Sequence, residues 1–163
     1  MKEPRSFEFI EEVTSDLRFV ARGKTLEAAF AAAADALLAA TLENPETVEA
    51  RVEHEISLEE PDLELLLFAF LNELVYLRDA RGWLLRVGEA RIERSSPGAS
   101  LWARLVGEPL DPARHRPAAE VKAATAHGLR VRPRAGHVNA EGIPTERPGA
   151  DGSAWELWAT LDV

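Results

Sequence analysis

Two aspartates are the residues of this sequence whose types and positions could best support binding chemistry. Asp16 follows Thr14 and Ser15 where a turn leads into a strand, although an aspartate in a turn commonly binds only nearby backbone amides. Asp162 is the penultimate residue, before Val163, and can equally be interpreted as a solvated strand end. Two aspartates, a terminal carboxylate and backbone carbonyls are hard oxygen ligands suited to Ca²⁺ or Mg²⁺. The spacing alone gives no reason to bring Asp16 near Asp162.

Lys122 is the third candidate, and it lies in a predicted strand between Glu120 and Ala124 on the same face. A lone lysine on an edge strand commonly protects that edge against aggregation. The functional alternative is a contact with a nucleotide phosphate or with an acidic surface of a partner. The sequence leaves both interpretations open.

The common motifs of enzyme active sites are absent from the sequence. It contains no glycine-rich phosphate loop, no G-x-S-x-G or H-E-x-x-H motif and no cysteine. Four histidines lack metal-ligand spacing, which favours core or surface roles over a zinc site: His54, His115, His127 and His137. A metal-dependent hydrolase built on Asp16 and Asp162 is the least favoured hypothesis, because no positioned base or nucleophile accompanies the carboxylates. We therefore expect no enzymatic activity.

The composition limits the environment and the partners. Acidic residues number 28 against 19 basic ones, so the formal net charge is −9, and such a surface repels a phosphate backbone. Strong direct binding to nucleic acid is therefore not expected. The lack of cysteine suits a reducing cytoplasm, and the charged start of the chain is followed by no apolar run that would indicate a signal peptide or an anchor. The sequence predicts a cytoplasmic protein that does not enter a membrane.

Periodicity predicts two helices among several strands. Thr25 is a plausible N-cap for a first helix that runs toward Asn44 and Pro45, and Asp62 opens a second helix that ends near Gly82. Alternation predicts strands at 7–10, 16–22, 48–58, 83–93, 101–107, 121–132 and 155–163. In the third of these the inward residues should be Ala50, Val52, His54, Ile56 and Leu58.

The element order indicates an α+β fold. Without strict strand–helix alternation, we expect two amphipathic helices packed on a largely antiparallel multi-stranded sheet, in a single domain over 1–163. The second helix is apolar around much of its circumference, which favours a core helix over one partly covered by another protein. Residues 133–152 are rich in Pro and Gly and are predicted to form a flexible insertion that can be shortened without loss of function.

Three ordered stretches together resemble the archease family. The first is 12–16 with 23–30, a Thr-x-Asp turn and a Gly-x-Thr-Leu-Glu-x-Ala-Phe helix start; the second is the helix 62–77. The third comprises Gly107-Glu108, Asp111-Pro112-Ala113-Arg114-His115, Glu120-Val121-Lys122-Ala123 and Leu161-Asp162-Val163. The order and spacing of the three make the resemblance specific. One departure is Val13, where the family usually has His.

The resemblance implies a function as a cofactor protein. Archeases assist the RtcB-type RNA ligase, which joins tRNA exon halves, in ligase guanylylation and multiple turnover, so GTP would be used only by the partner ligase. In that family the corresponding aspartates and the last residue bind a divalent metal, which here maps onto Asp16, Asp162 and Val163. The alternative hypothesis is a chaperone-like or scaffold module in which the second helix and an exposed Trp158 dock another client.

Overall fold

In the part of the chain that the structure describes, seven strands form two antiparallel sheets, and two long helices pack against both. The computed structural model describes residues 5–13, 15–95, 98–134 and 153–163. The four-stranded sheet has the order β1-β2-β7-β6 and the three-stranded sheet the order β3-β5-β4. The strands are β1 (Arg5–Val13), β2 (Asp16–Gly23), β3 (Val52–Glu60), β4 (Trp83–Ser95), β5 (Gly98–Pro109), β6 (Ala123–Pro133) and β7 (Trp155–Asp162). The helices are α1 (Leu26–Thr41), α2 (Leu63–Arg81) and the short α3 (Pro112–His115), with a 3₁₀ turn at Pro45–Thr47.

Helix α1 begins where its capping residue predicts. The Thr25 hydroxyl accepts a hydrogen bond from the Ala28 amide at 3.0 Å, which satisfies one of the free amides of the first turn. The helix is rich in alanine and almost wholly buried, so it approaches strands of both sheets closely. Glu27, in its first turn, also accepts a hydrogen bond at 3.3 Å from the Ile92 amide of β4. Helix α1 therefore connects the two sheets through packing and through polar contacts to each, since Asp35 also forms an ion pair with Arg5 of β1 at 3.0 Å.

Helix α2 is a core helix, as the sequence favours. Asp62 Oδ1 accepts a hydrogen bond from the Leu65 amide at 2.8 Å, and Gly82 ends the helix in the left-handed region at φ 71°. Its buried residues are Leu66, Leu67, Phe70, Leu71, Leu74, Val75 and Leu77. Two of its polar side chains contact the edge strand β6: Asn72 binds the main chain of Ala124, and Glu64 accepts from the Val131 amide at 3.3 Å. The helix thus both fills the core and covers a sheet edge.

The structure confirms the α+β fold with helices on antiparallel sheets, and it divides the strands between two sheets. Two local predictions are wrong. The third strand begins at Val52, because the preceding residues 48–51 follow a 3₁₀ turn, so Ala50 is exposed and lies outside the strand. The Pro-rich segment 111–117 was predicted to be a loop, but residues 112–115 form the one-turn helix α3, which is too short to show a helical period.

Two further expectations concern the chain as a whole. Within the described residues, no helix is long and apolar enough to cross a membrane. The insertion predicted at 133–152 lies outside the described residues apart from Pro133 and Arg134.

Candidate functional site

Asp16 and Asp162 lie directly opposite each other on neighbouring strands. Asp16 is the first residue of β2 and Asp162 the last of β7, and they are paired residues of the antiparallel ladder. Directly opposite residues point to the same face of a sheet, with their Cβ atoms about 4.5–5.5 Å apart. The fold therefore brings together the two carboxylates that the sequence could not place.

Alternation along the two central strands directs both carboxylates away from the core. Leu161 and Phe19 are completely buried on the inner face, and both aspartates, which have the opposite parity, are partly exposed. Main-chain contacts fix this end of the sheet: the Val163 amide donates to the Ser15 carbonyl oxygen at 3.0 Å. Val163 is thus held beside the turn that precedes Asp16.

The donor set fits a hard divalent cation. Two like charges directly opposite in a ladder repel each other, and a cation between them would remove that repulsion. In the described parts of the chain no group of three or more His, Cys, Asp or Glu side chains could hold a metal, so the pair supplies two carboxylates at most. A cation here would complete its coordination with main-chain oxygens, water or groups of a partner, which is common for Ca²⁺ and Mg²⁺.

Lys122 lies at the same end of the sheet. It is exposed and immediately precedes the edge strand β6, and its amide donates to the Asp162 carbonyl oxygen at 2.8 Å. Ala123 is the β6 residue paired with Asp162. The structure therefore brings all four predicted site residues to one end of the four-stranded sheet.

Comparisons with known proteins identify the family of the chain. The sequence pattern of the Archease protein family (MTH1598/TM1083) matches residues 7–144. The chain belongs to the archease family. It is 40% identical over 120 residues to the protein archease of Pyrococcus abyssi, covering 74% of this chain and 84% of that one. It is 35% identical over 135 residues to the protein archease of Methanosarcina mazei, covering 81% and 90% respectively.

A solved archease-family structure shares the fold. The solution structure of Methanobacterium thermoautotrophicum protein 1598 matches with a TM-score of 0.70 at 27% identity, covering 96% of this chain and 98% of that one. The resemblance found in the sequence is therefore confirmed at the level of both family and fold.

This archease also contains a buried charged group that our sequence reasoning missed. Glu108 on β5 and His115 on α3 are both almost completely buried, and Glu108 Oε1 contacts His115 Nε2 and Arg114 Nη2. His115 Nδ1 accepts a hydrogen bond from the Asp111 amide at 2.8 Å, so Nε2 carries the proton that is donated to Glu108. Arg51 Nε lies 3.2 Å from the other carboxylate oxygen.

The electrostatics of this group favour an ionised carboxylate. Burial alone would raise the pKa of Glu108, but hydrogen bonds from His115 and Arg114 outweigh it and hold the pKa below its usual value of 4.5. The sequence feature that could have revealed this buried group is the family-like stretch from Gly107 to His115, in which Glu108 precedes His115 across a turn. Among the four histidines, His115 has a structural role, whereas His54 packs against Trp83 with ring centroids 5.5 Å apart.

The two features named for the alternative, client-docking function are only partly exposed. Trp158 was expected to be exposed, but it is half-buried and its indole N–H donates to Glu156 Oε1 at 3.0 Å. On α2, Leu65 and Tyr76 are exposed, while most of the apolar side chains are in the core. No specific observation favours the docking function over the paired aspartates.

Proposed function

We propose that this archease is a non-enzymatic activator of a tRNA-splicing RNA ligase of the RtcB type. The observation that carries the proposal is the direct pairing of Asp16 with Asp162, which places two carboxylates on one face at the end of a sheet. Membership of the archease family supports the choice of partner.

In this proposal Asp16, Asp162 and an oxygen of Val163 hold a divalent cation, Ca²⁺ or Mg²⁺. The bound cation would supply positive charge to a protein whose net charge is otherwise −9. Lys122, held beside Asp162 by its own amide, adds a second positive charge at the same end of the sheet. This end is therefore suited to approach the phosphates of a nucleotide held by the ligase, so that the archease promotes guanylylation and multiple turnover in the cytoplasm.

The test is a multiple-turnover ligation assay with the cognate ligase, GTP and split tRNA. Wild-type protein should raise the number of turnovers per ligase, and Asp16→Ala and Asp162→Ala should each abolish that gain. Because the two carboxylates act as one unit, the double variant should be no worse than either single variant. Glu43→Ala, which removes an exposed carboxylate elsewhere, is the matched control.

Three results would overturn the proposal. Full activation by either aspartate variant would show that the pair is not needed for ligase activation. Loss of activation in the Glu43 variant would show a general charge effect. Turnover of GTP or RNA by the pure protein, without the ligase, would show an enzyme.

A further inference from the structure

The outer face of the three-stranded sheet has an aromatic side chain beside several acidic ones. Ladder pairing across β3, β5 and β4 aligns two neighbouring rows of side chains, and opposite residues share a face. The first row is Ser57, Trp102 and Arg91, and the second is Glu59, Ser100 and Glu93. Neither row belongs to the sheet that carries Asp16 and Asp162.

The two rows border an open depression of about 410 Å³. Ser100 is the smallest side chain of its row, so it leaves space between the two glutamates that flank it. Trp102 is half-buried at one side, and the Arg91 guanidinium lies 5.4 Å from the centre of its ring. The depression therefore has two acidic walls and a third wall formed by Trp102 together with the Arg91 guanidinium, around a small polar floor.

The acidic residues of this face are only partly neutralised within the chain. Arg104 forms an ion pair with Glu53 at 3.3 Å, and Arg91 forms one with Glu89 at 3.6 Å. In the described part of the chain, three other glutamates of the face have neither an ion pair nor a side-chain hydrogen bond: Glu55, Glu59 and Glu93. Two of these three are the acidic walls of the depression.

We propose that this face binds a basic segment of a partner protein, with one arginine or lysine side chain seated over Ser100. The cationic head would lie between Glu59 and Glu93, and the aliphatic stem would pack along Trp102, which combines charge-assisted hydrogen bonds with aromatic contact. The negative charge of this face determines which kind of partner it can bind. A second copy of this acidic chain and a nucleic acid would both be repelled, and the indole ring is not a ligand for a metal ion.

The experiment uses the full chain and a labelled peptide in which arginines alternate with serines, so that the arginines of an extended peptide share one side. Binding is measured by fluorescence anisotropy, and the Trp102 indole N–H signal is followed by NMR. Glu59→Gln/Glu93→Gln should weaken binding about tenfold, Trp102→Leu should weaken it severalfold, and added salt should weaken the wild-type complex. All three side chains are at least partly exposed, so thermal midpoints of the variants should stay close to that of the wild type.

Matched controls decide whether the face is specific. Glu43→Gln/Glu46→Gln removes two exposed charges elsewhere, and Glu43→Gln alone removes one; both should leave peptide affinity unchanged, and neither touches the residues of the metal proposal. The inference is wrong if either control loses as much affinity as the double variant, or if a peptide with glutamines for arginines binds equally well. It is also wrong if spermidine displaces the labelled peptide at the same concentration as unlabelled peptide does. The face would then bind any polycation and would not recognise a peptide.

Discussion

Asn72 and Ala124 are joined by two hydrogen bonds across the boundary between helix α2 and strand β6. Asn72 Nδ2 donates to the Ala124 carbonyl oxygen at 3.1 Å, and Asn72 Oδ1 accepts from the Ala124 amide at 3.0 Å. One side-chain amide thus takes the place of a neighbouring strand at the edge of the sheet. An edge strand with free amides and carbonyls is a template for unwanted pairing, so this contact protects the fold as well as stabilising it.

Asn72→Ala should destabilise the fold by about 1–3 kcal/mol, because it leaves the part-buried amide and carbonyl of Ala124 without their partners. Asn72→Asp keeps the acceptor for the Ala124 amide but sets a carboxylate oxygen against the carbonyl oxygens of Phe68 and Ala124, so it should not restore wild-type stability at neutral pH. Urea unfolding measures the stability, and hydrogen exchange measures protection of the Ala124 amide. Undiminished protection in the alanine variant would contradict the structural role given to Asn72.

Glu108→Gln should destabilise the protein by about 1–3 kcal/mol at neutral pH, because it leaves His115 and Arg114 facing a neutral group in a buried site. The lowered pKa of Glu108 gives this effect a pH dependence. A carboxyl with a lowered folded-state pKa contributes stability above its unfolded pKa and loses that contribution as the pH falls through the folded value. The difference between wild type and variant should thus be constant from pH 7 to about 5 and shrink below 4.5. Urea midpoints at several pH values test this, and a difference that stays constant down to pH 3 would refute it.

The effect of Asp162→Asn on stability should change sign when Ca²⁺ is added. Without metal, removing one of two opposed carboxylates relieves repulsion and should raise the free energy of unfolding by about 0.2–1 kcal/mol. With millimolar Ca²⁺ the wild type should gain thermal stability by linkage to binding, and the variant should not. Thermal midpoints with and without Ca²⁺ provide the measurement. An equal calcium response in the Asp16→Asn/Asp162→Asn double variant would show that the cation binds elsewhere.

Gly107→Ala should destabilise the fold by at least about 3 kcal/mol. A Cβ at this position would overlap the Leu84 carbonyl oxygen of β4, and main-chain atoms in a ladder cannot move aside. Gly88→Ala is the control, since its Cβ would meet only the end of the Arg104 side chain, 3.0 Å away and free to turn. Similar unfolding midpoints for the two variants would contradict this account.

Local chemistry in the sequence predicted the helices well, because caps act over three or four residues. Thr25 and Asp62 both accept the expected capping hydrogen bonds, and Gly82 ends α2 in the expected left-handed conformation. The start of β3 was less predictable, since apolar Val48 lies before the strand and is buried against Leu84 and its neighbours in a separate small cluster. Alternation alone cannot distinguish such a residue from a strand residue.

The candidate site was predictable only through the family resemblance. Asp16 and Asp162 meet because β7 pairs with β2, and strand pairing between distant segments leaves no periodic pattern in either one. The buried contact of Glu108 with His115 has the same origin: α3 returns against the end of β5, and four helical residues are too few to predict. The sequence alone therefore predicted most helices and strands, but it did not predict which strands pair with each other.

The strand order has a consequence for the timing of folding. Although β7 follows β6 in the chain, it lies between β2 and β6, so it is the central piece that closes the sheet. A growing chain interrupted before Trp155 has two unsatisfied strand edges and only one of the two opposed aspartates. Asp16 and Asp162 can therefore meet only once β7 has inserted between β2 and β6, so a chain that ends before Trp155 has neither the closed sheet nor the pair on which the proposed metal site depends.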